Sequence, residues 1–227
     1  MRSDILVSGK TVPIDAPVIG IEDSGLSFPR IAYRKETRYL AFHWTASENR
    51  PEQIVRNMIS RKTSVHFIVE PGGIIYQTAD ASVRCSHIAA VVDNEVRPAK
   101  VGSDFAVGVE MVNRGHALSL PSHGIRRVMI EEEVHGTRVK YGRFTAAQVS
   151  SAIALSVAIC RAYQLPMVLP IDTKTGKVFA SKLPDAFKRR FRGIAGHYHF
   201  DLGKIDPCPD LLQQIADALD PRPLPVA

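Results

Sequence analysis

Two apolar runs constrain this chain more than any other feature. Arg38 to Ala46 reads RYLAFHWTA, and Phe105 to Val112 reads FAVGVEMV. Runs of this length and composition read as strands buried inside a sheet. Each also holds one residue that burial does not suit. His43 sits near the end of the first. Glu110 lies within the second, where a lone charge is costly unless it is paired or put to use.

Around these runs the pattern alternates between strand and helix. NRPEQIVRNMIS reads as a helix, with Asn49 as cap, Pro51 in the first turn and a stripe of Ile54, Val55, Met58 and Ile59. SVHFIVEPGGIIYQ reads as strand, turn and strand, with Pro71-Gly72-Gly73 making a hairpin. In TAAQVSSAIALSVAICRAY, Thr145 and Gln148 form a capping box, and Val149, Ala152, Ile153, Ser156, Cys160 and Tyr163 share a face. RGIAGHYHF reads as a further strand and PDLLQQIADAL as a closing helix. The expected fold is α/β: a single domain with a central mixed β-sheet flanked by helices and a site at the strand ends.

The expected domain runs from 38 to 220. Two segments interrupt it, at about 114–143 and 166–190, and the first holds a hairpin within RRVMIEEEVHGTRVKYGRF. Residues 1–37, with Pro13, Pro17 and Pro29, read as an irregular lead-in, and the Pro-rich 221–227 as a flexible tail.

No apolar run approaches the ~20 residues of a membrane span. The first residues, with Asp4 and no long apolar stretch, make a poor secretory signal, so synthesis in the cytoplasm is expected. Three cysteines are too few and too odd for a disulfide framework, so Cys85 and Cys160 read as buried thiols. A net charge of +6 favours polyanions: nucleic acid, anionic lipid or an acidic cell-wall polymer. The densest basic run, Lys188 to Arg192, is too short for a nucleic-acid motif and reads as a solvated face. No signature of nucleic-acid recognition accompanies it, and nucleic acid is not expected as a partner.

The densest chemistry lies in GHYHFDLGKIDPCPD, Gly196 to Asp210. Catalytic zinc takes three protein ligands and keeps one open position. There is no HExxH helix, so ligands must converge from strand ends. His43, His197 and Asp206 would make such a His₂-carboxylate set. The thiolate of Cys208 is a second candidate for the third position. His116, His123 and His135 lie in the polar interruption and read as surface residues.

The order of the motifs narrows the reading. FHWTAS, SVHFIVEPGGIIYQ, CSHIAA, AVGVEMVN, FTAAQ and GHYHFDLGKIDP stand in sequence from about Tyr39 to Leu219. Together they resemble the zinc-dependent type-2 N-acetylmuramoyl-L-alanine amidases and the peptidoglycan recognition proteins. The lead-in and both interruptions fall outside the resemblance. It implies zinc on His43, His197 and Asp206, the last because Lys204-Ile205-Asp206-Pro207 matches the family's Lys-x-Asp-Pro. It implies Glu110 as the catalytic base and Lys204 as the positive charge beside a developing oxyanion. It places His87 against substrate or in a structural role. His199, where the family commonly has Asp, is taken to share a strand face with His197 and line the cleft or support the ligands. His66 reads as a packed core histidine and Trp44 as core, while Thr45 supports His43. Asp201 either orients His197 or stands in an exposed loop.

The resemblance implies hydrolysis of the amide between the lactyl group of N-acetylmuramic acid and L-alanine of the stem peptide. The partner would be peptidoglycan or a soluble muropeptide, met either by a phage-type lysis enzyme after release or by a recycling amidase. The alternative is a non-catalytic peptidoglycan-binding module on the same fold. Oligomeric state is not legible.

Overall fold

The computed structural model describes residues 1–28, 32–34, 36–88, 102–116, 125–219 and 224–225. Strands β1 (Arg2–Val7) and β2 (Lys10–Ile19) and a single turn, α1 (Ile21–Ser24), precede β3 (Tyr39–Trp44). Helix α2 (Pro51–Ser60), the hairpin β4 (Phe67–Val69) and β5 (Ile75–Gln77), and strand β6 (Ala106–Met111) follow. A second hairpin, β7 (Met129–Val134) and β8 (Thr137–Gly142), leads into α3 (Ala146–Ala162). Then come β9 (Pro170–Ile171), α4 (Asp185–Arg190), β10 (Gly193–Gly196), α5 (Pro209–Leu219) and β11 (Leu224–Pro225).

The two apolar runs are β3 and β6. They lie side by side and parallel, in register from Tyr39 opposite Ala106 to Trp44 opposite Met111. The central sheet has the order β1-β2-β5-β4-β6-β3-β10. Strands β4, β6, β3 and β10 run parallel, while β5 is antiparallel to β4 and β1 to β2. The sheet is therefore mixed, as expected.

Side chains alternate across it with period two. Leu40, Phe42, Trp44, Val107, Val109 and Met111 point to the face covered by α3 and α5. There they pack with Ala152, Leu155, Ile159, Leu211, Leu212 and Ile215. Tyr39, Ala41, Ala106 and Ala195 point the other way and meet Phe191 and Phe200. Beside them, α2 covers Ile68 with Ile54 and Val55. Helices thus cover both faces, which is why the central runs carry apolar residues at successive positions. Each fully buried Leu, Ile or Phe contributes roughly 1.5–3 kcal/mol.

Four expectations need correction. Residues 1–37 open with the β1–β2 hairpin, whose Ile5, Val7, Ile14 and Val18 join the main core. Its prolines obscured it: β2 pairs with β5 through Val18 and Ile19, so Pro13 and Pro17 stand outside that ladder. Helix α2 is capped by Arg50 rather than Asn49, with no side-chain cap bond and Pro51 opening the first turn. The basic run around α4 is not all solvated, because Lys188 is 1% exposed and Phe191 2%. In the tail, Leu224 and Pro225 pair with Pro170 and Ile171, and the rest lies outside the described residues. The capping box of α3 is present as read, with Thr145 Oγ1 accepting from Gln148 N at 3.1 Å. Among the described residues no helix is long and apolar enough to cross a membrane.

The interruption at 114–143 packs Val134, Val139 and Tyr141 into the main core, and a buried ion pair adds a polar tie. Arg127 Nε donates to Glu48 Oε1 at 2.6 Å, and the two side chains are 1% and 0% exposed. Its other nitrogens donate to the carbonyls of Val112 and Arg143 and to Gln148 Oε1. Removing one partner of a buried ion pair leaves the other charge uncompensated. Arg127→Ala should therefore lower unfolding free energy by about 3–5 kcal/mol in a denaturant titration. Arg127→Met combined with Glu48→Leu should recover much of that loss.

Candidate metal centre

Three parallel strands bring their C-terminal ends together, where α/β sheets commonly hold their ligands. His43 is the next-to-last residue of β3 and faces Glu110 in register on β6, so both side chains leave the sheet on the same face. Beside β3, β10 stops at Gly196 and the chain tightens into a 3₁₀ turn, His197–His199. The loop after it returns Asp206 beneath the turn, where Tyr198 N donates to Asp206 O at 3.1 Å.

The three residues converge as the sequence suggested. His43 Nδ1 lies 3.0 Å from His197 Nδ1, and His197 Nδ1 lies 3.0 Å from Asp206 Oδ2. His43 Nδ1 to Asp206 Oδ2 is 3.4 Å. All three are buried, at 2%, 7% and 8% exposure. Tetrahedral zinc with donors about 2.0–2.1 Å away separates those donors by roughly 3.3 Å, so this set fits the ion. Among the described residues it is the one group of three such side chains gathered this closely. Cys208 is not part of it. Its thiol is buried in the main core and donates to Ile205 O at 3.2 Å.

Burial and the neighbouring His197 hold His43 down at about 4, so its ring is neutral near pH 7. Burial alone would raise the Asp206 carboxyl, but His197 and His43 outweigh it and hold the group well below the usual carboxylate range. One anion and neutral imidazole are what a divalent cation prefers.

Glu110 has the opposite character. Burial, with Asp206 adding repulsion and Lys204 opposing it, pushes its carboxyl up to about 8. Its Oε2 is buried with no hydrogen-bond partner among the described residues. A carboxylate so placed has a basicity suited to proton transfer near neutral pH. Lys204 is exposed on the rim, where it lines the same cleft of about 680 Å³ as the three converging residues and Glu110.

The remaining histidines divide. His87 lies on the cleft wall, its Nδ1 2.9 Å from His43 Nε2. His66 is packed in the core as read: Gly108 N donates to its Nδ1 at 2.9 Å, and Val83 O lies 2.8 Å from its Nε2. His199 does not line the cleft. A 3₁₀ turn replaces the expected strand and rotates it away from His197's face. It is fully buried, accepting from Gly196 N at Nδ1 and reaching Phe179 O at 2.7 Å with Nε2. Asp201 does not orient His197 either; its Oδ1 accepts from Gly203 N within the loop. Thr45 bonds Ser47 O and Asn113 rather than His43, so it braces the loop after β3. Trp44 is core on one side and cleft wall on the other.

Two histidines read as surface residues are not idle. His116 lines the cleft beside Trp44. His135 occupies the two-residue turn between β7 and β8 with φ of 53°, followed by Gly136 at 76°. Lys182 N donates to its Nδ1, and its Nε2 donates to Lys204 O at 2.9 Å. It thereby joins both interruptions to the loop carrying Lys204 and Asp206. The sequence signal was a His where a left-handed turn position prefers Asn or Gly. His123 lies outside the described residues.

Residues 33–209 match the family model described as N-acetylmuramoyl-L-alanine amidase. The chain belongs to that family. A comparison with curated proteins finds no match. Among solved structures, the chain is similar to the N-acetylmuramoyl-L-alanine amidase LysC from Clostridium intestinale URNW. The identity is 13% with a TM-score of 0.54, over 90% of this chain and 98% of that one. It is similar to the endolysin amidase LysCS from the same organism at 14% identity and TM-score 0.52, over 90% and 96% of the chains. It also resembles the Ph2119 endolysin from a Thermus scotoductus MAT2119 bacteriophage, at 10% identity and TM-score 0.50, over 88% and 97%. At these identities the likeness speaks for the fold. The family match begins beyond the β1–β2 hairpin and ends at the start of α5.

Two measurements check this geometry. Titrated with Zn²⁺, the protein should take up one equivalent; Asp206→Ala should lose stoichiometric uptake, and Cys208→Ser should keep it. The raised Glu110 carboxyl carries a stability signature in metal-free protein. Its contribution is fully present below its ordinary value of 4.5 and is lost as pH rises through about 8. Metal-free wild type should therefore fall behind Glu110→Gln across that window. The gap should reach on the order of 2–3 kcal/mol once partial solvent contact is allowed for.

Proposed function

We propose that this chain is a zinc-dependent N-acetylmuramoyl-L-alanine amidase. It hydrolyses the amide joining the lactyl group of N-acetylmuramic acid to L-alanine of the peptidoglycan stem. The observation that carries this reading is the pairing of a buried His₂-carboxylate set with a raised Glu110, whose Oε2 has no hydrogen-bond partner among the described residues, in one cleft. Family membership supports the substrate class.

His43, His197 and Asp206 would hold the zinc. Bound there, zinc supplies Lewis acidity, polarising a carbonyl and acidifying water at neutral pH. Glu110 accepts the proton of the attacking water and returns it to the leaving alanine nitrogen. Its high basicity suits the first half of that task and its readiness to be protonated the second. Lys204 holds positive charge on the rim, beside the oxygen that gains charge as the carbonyl is attacked. Trp44, Met58 and Ile54 give the cleft apolar walls, and Asn49, Asn57 and Arg61 offer polar contacts for the glycan and peptide.

The net charge of +6 supports action on an anionic wall, either by an endolysin-like bacteriolytic enzyme after release or on shed fragments. Incubation with intact sacculi and with soluble muropeptides, in parallel, separates those substrates. A binding module without catalysis would retain wall affinity and release no new amino termini from either. That outcome would overturn the enzymatic reading.

Glu110→Gln preserves size and removes basicity. The variant should bind zinc as wild type does while kcat falls by about 10²–10⁴-fold. Equal zinc content is measured by metal analysis and the rate by release of the alanine amino group. Turnover near the wild-type level would move the base elsewhere.

A further inference from the structure

His43 has two ring nitrogens, and the structure engages both. Nδ1 faces His197 and Asp206, while Nε2 faces His87 Nδ1 at 2.9 Å. A neutral imidazole carries one N–H and one lone pair. A ring that offers Nδ1 to a cation must carry its hydrogen on Nε2, and that hydrogen needs an acceptor. His87 Nδ1 is placed to be that acceptor. His87 must then hold its own hydrogen on Nε2, which faces Ala106 O at 3.3 Å. The directions agree from one end to the other: His87 donates to the Ala106 carbonyl, His43 donates to His87, and the remaining lone pair of His43 faces the site.

The fold places the His87 ring from several sides. Its backbone N donates to Ser103 Oγ at 2.9 Å, and Ser103 is itself buried. Its ring meets His43 edge to face, with centroids 5.0 Å apart and planes at 85°. Beneath it lies Gly108 on β6. A Cβ at Gly108 would stand 2.7 Å from both Cε1 and Nδ1 of His87, so the bare backbone there is what admits the ring.

We propose that His87 is a positioning residue that fixes the tautomer and orientation of His43 for metal binding, rather than a substrate contact. The proposal rests on the zinc reading above. A ligand histidine ordinarily donates its second N–H to a carboxylate, a backbone carbonyl or water. Here the acceptor is another imidazole, whose own tautomer is set by a strand carbonyl.

The test compares wild type, His87→Asn and His87→Leu by competition for Zn²⁺ against a chelator of known affinity. The amide oxygen of Asn sits about where Nδ1 does and accepts a hydrogen; Leu fills space and accepts none. His87→Leu should bind Zn²⁺ about 10–100-fold more weakly, and His87→Asn should remain close to wild type. Nitrogen NMR of zinc-loaded wild type needs no substitution and should find the His43 hydrogen on Nε2. Unchanged zinc affinity in His87→Leu, accompanied by a raised KM in both variants, would overturn the proposal in favour of a substrate contact. A His43 hydrogen found on Nδ1 would overturn it as well. Wild type that takes up no Zn²⁺ would instead overturn the zinc reading itself, and the role of His87 with it.

Discussion

Asp206 is buried, and its carboxylate is answered by two imidazoles, at 3.0 and 3.4 Å. An ionised carboxylate is not taken from water to this degree without compensation. Much of the surrounding architecture serves that arrangement. Strand β10 ends at Gly196, where a Cβ would stand 2.9 Å from Pro207 Cδ, so the Asp206 loop closes directly against the strand end. The 3₁₀ turn aims His197 at Asp206 and leaves His199 to bind the backbone beneath. Parallel pairing with β6 fixes the height of His43 relative to Glu110.

Asp206 is buried and Glu110 half-buried in one cleft, yet their environments drive the two carboxyl groups apart. Asp206 is held ionised by its imidazoles, and Glu110 is pushed towards its neutral form by burial and by Asp206 itself. That separation suits them to the two roles proposed for them: an anionic donor for Asp206, and for Glu110 a group that gains and loses a proton near neutrality. The sheet holds Glu110 and His43, whereas loops hold Lys204 and Asp206. Precision in the loop half therefore depends on tethers such as the His135 bond to Lys204 O.

Legibility followed from how local each signal was. The apolar runs of β3 and β6 exposed the fold because central strands must be apolar on both faces. The converging set is legible from FHWTAS, GHYHFDLGKIDP and the Lys-x-Asp-Pro within it, since motif order carries information that spacing alone does not. His199 was misplaced because a strand period was extended past Gly196, and nothing in HYHF marks the change to a 3₁₀ turn. The β1–β2 hairpin was hidden by prolines that stand outside its ladder with β5. His135 and His87 were undervalued because their partners lie 69 and 44 residues away.

The β1–β2 hairpin carries a further consequence. It adds β2 to the open side of β5, and Gln77 on β5 exchanges bonds with both backbone groups of Leu6. Helix α3 packs against it, and Ile5 and Val7 are buried in the main core. The stretch that defines kinship is thus shorter than the stretch that builds the main core. A fragment cut to the matched residues would present β5 as an unpaired edge, with an apolar face of α3 beside it. Such an edge invites pairing with other chains. The family match and the hydrophobic core have different borders in this protein, and a fragment excised along the first would be prone to self-association.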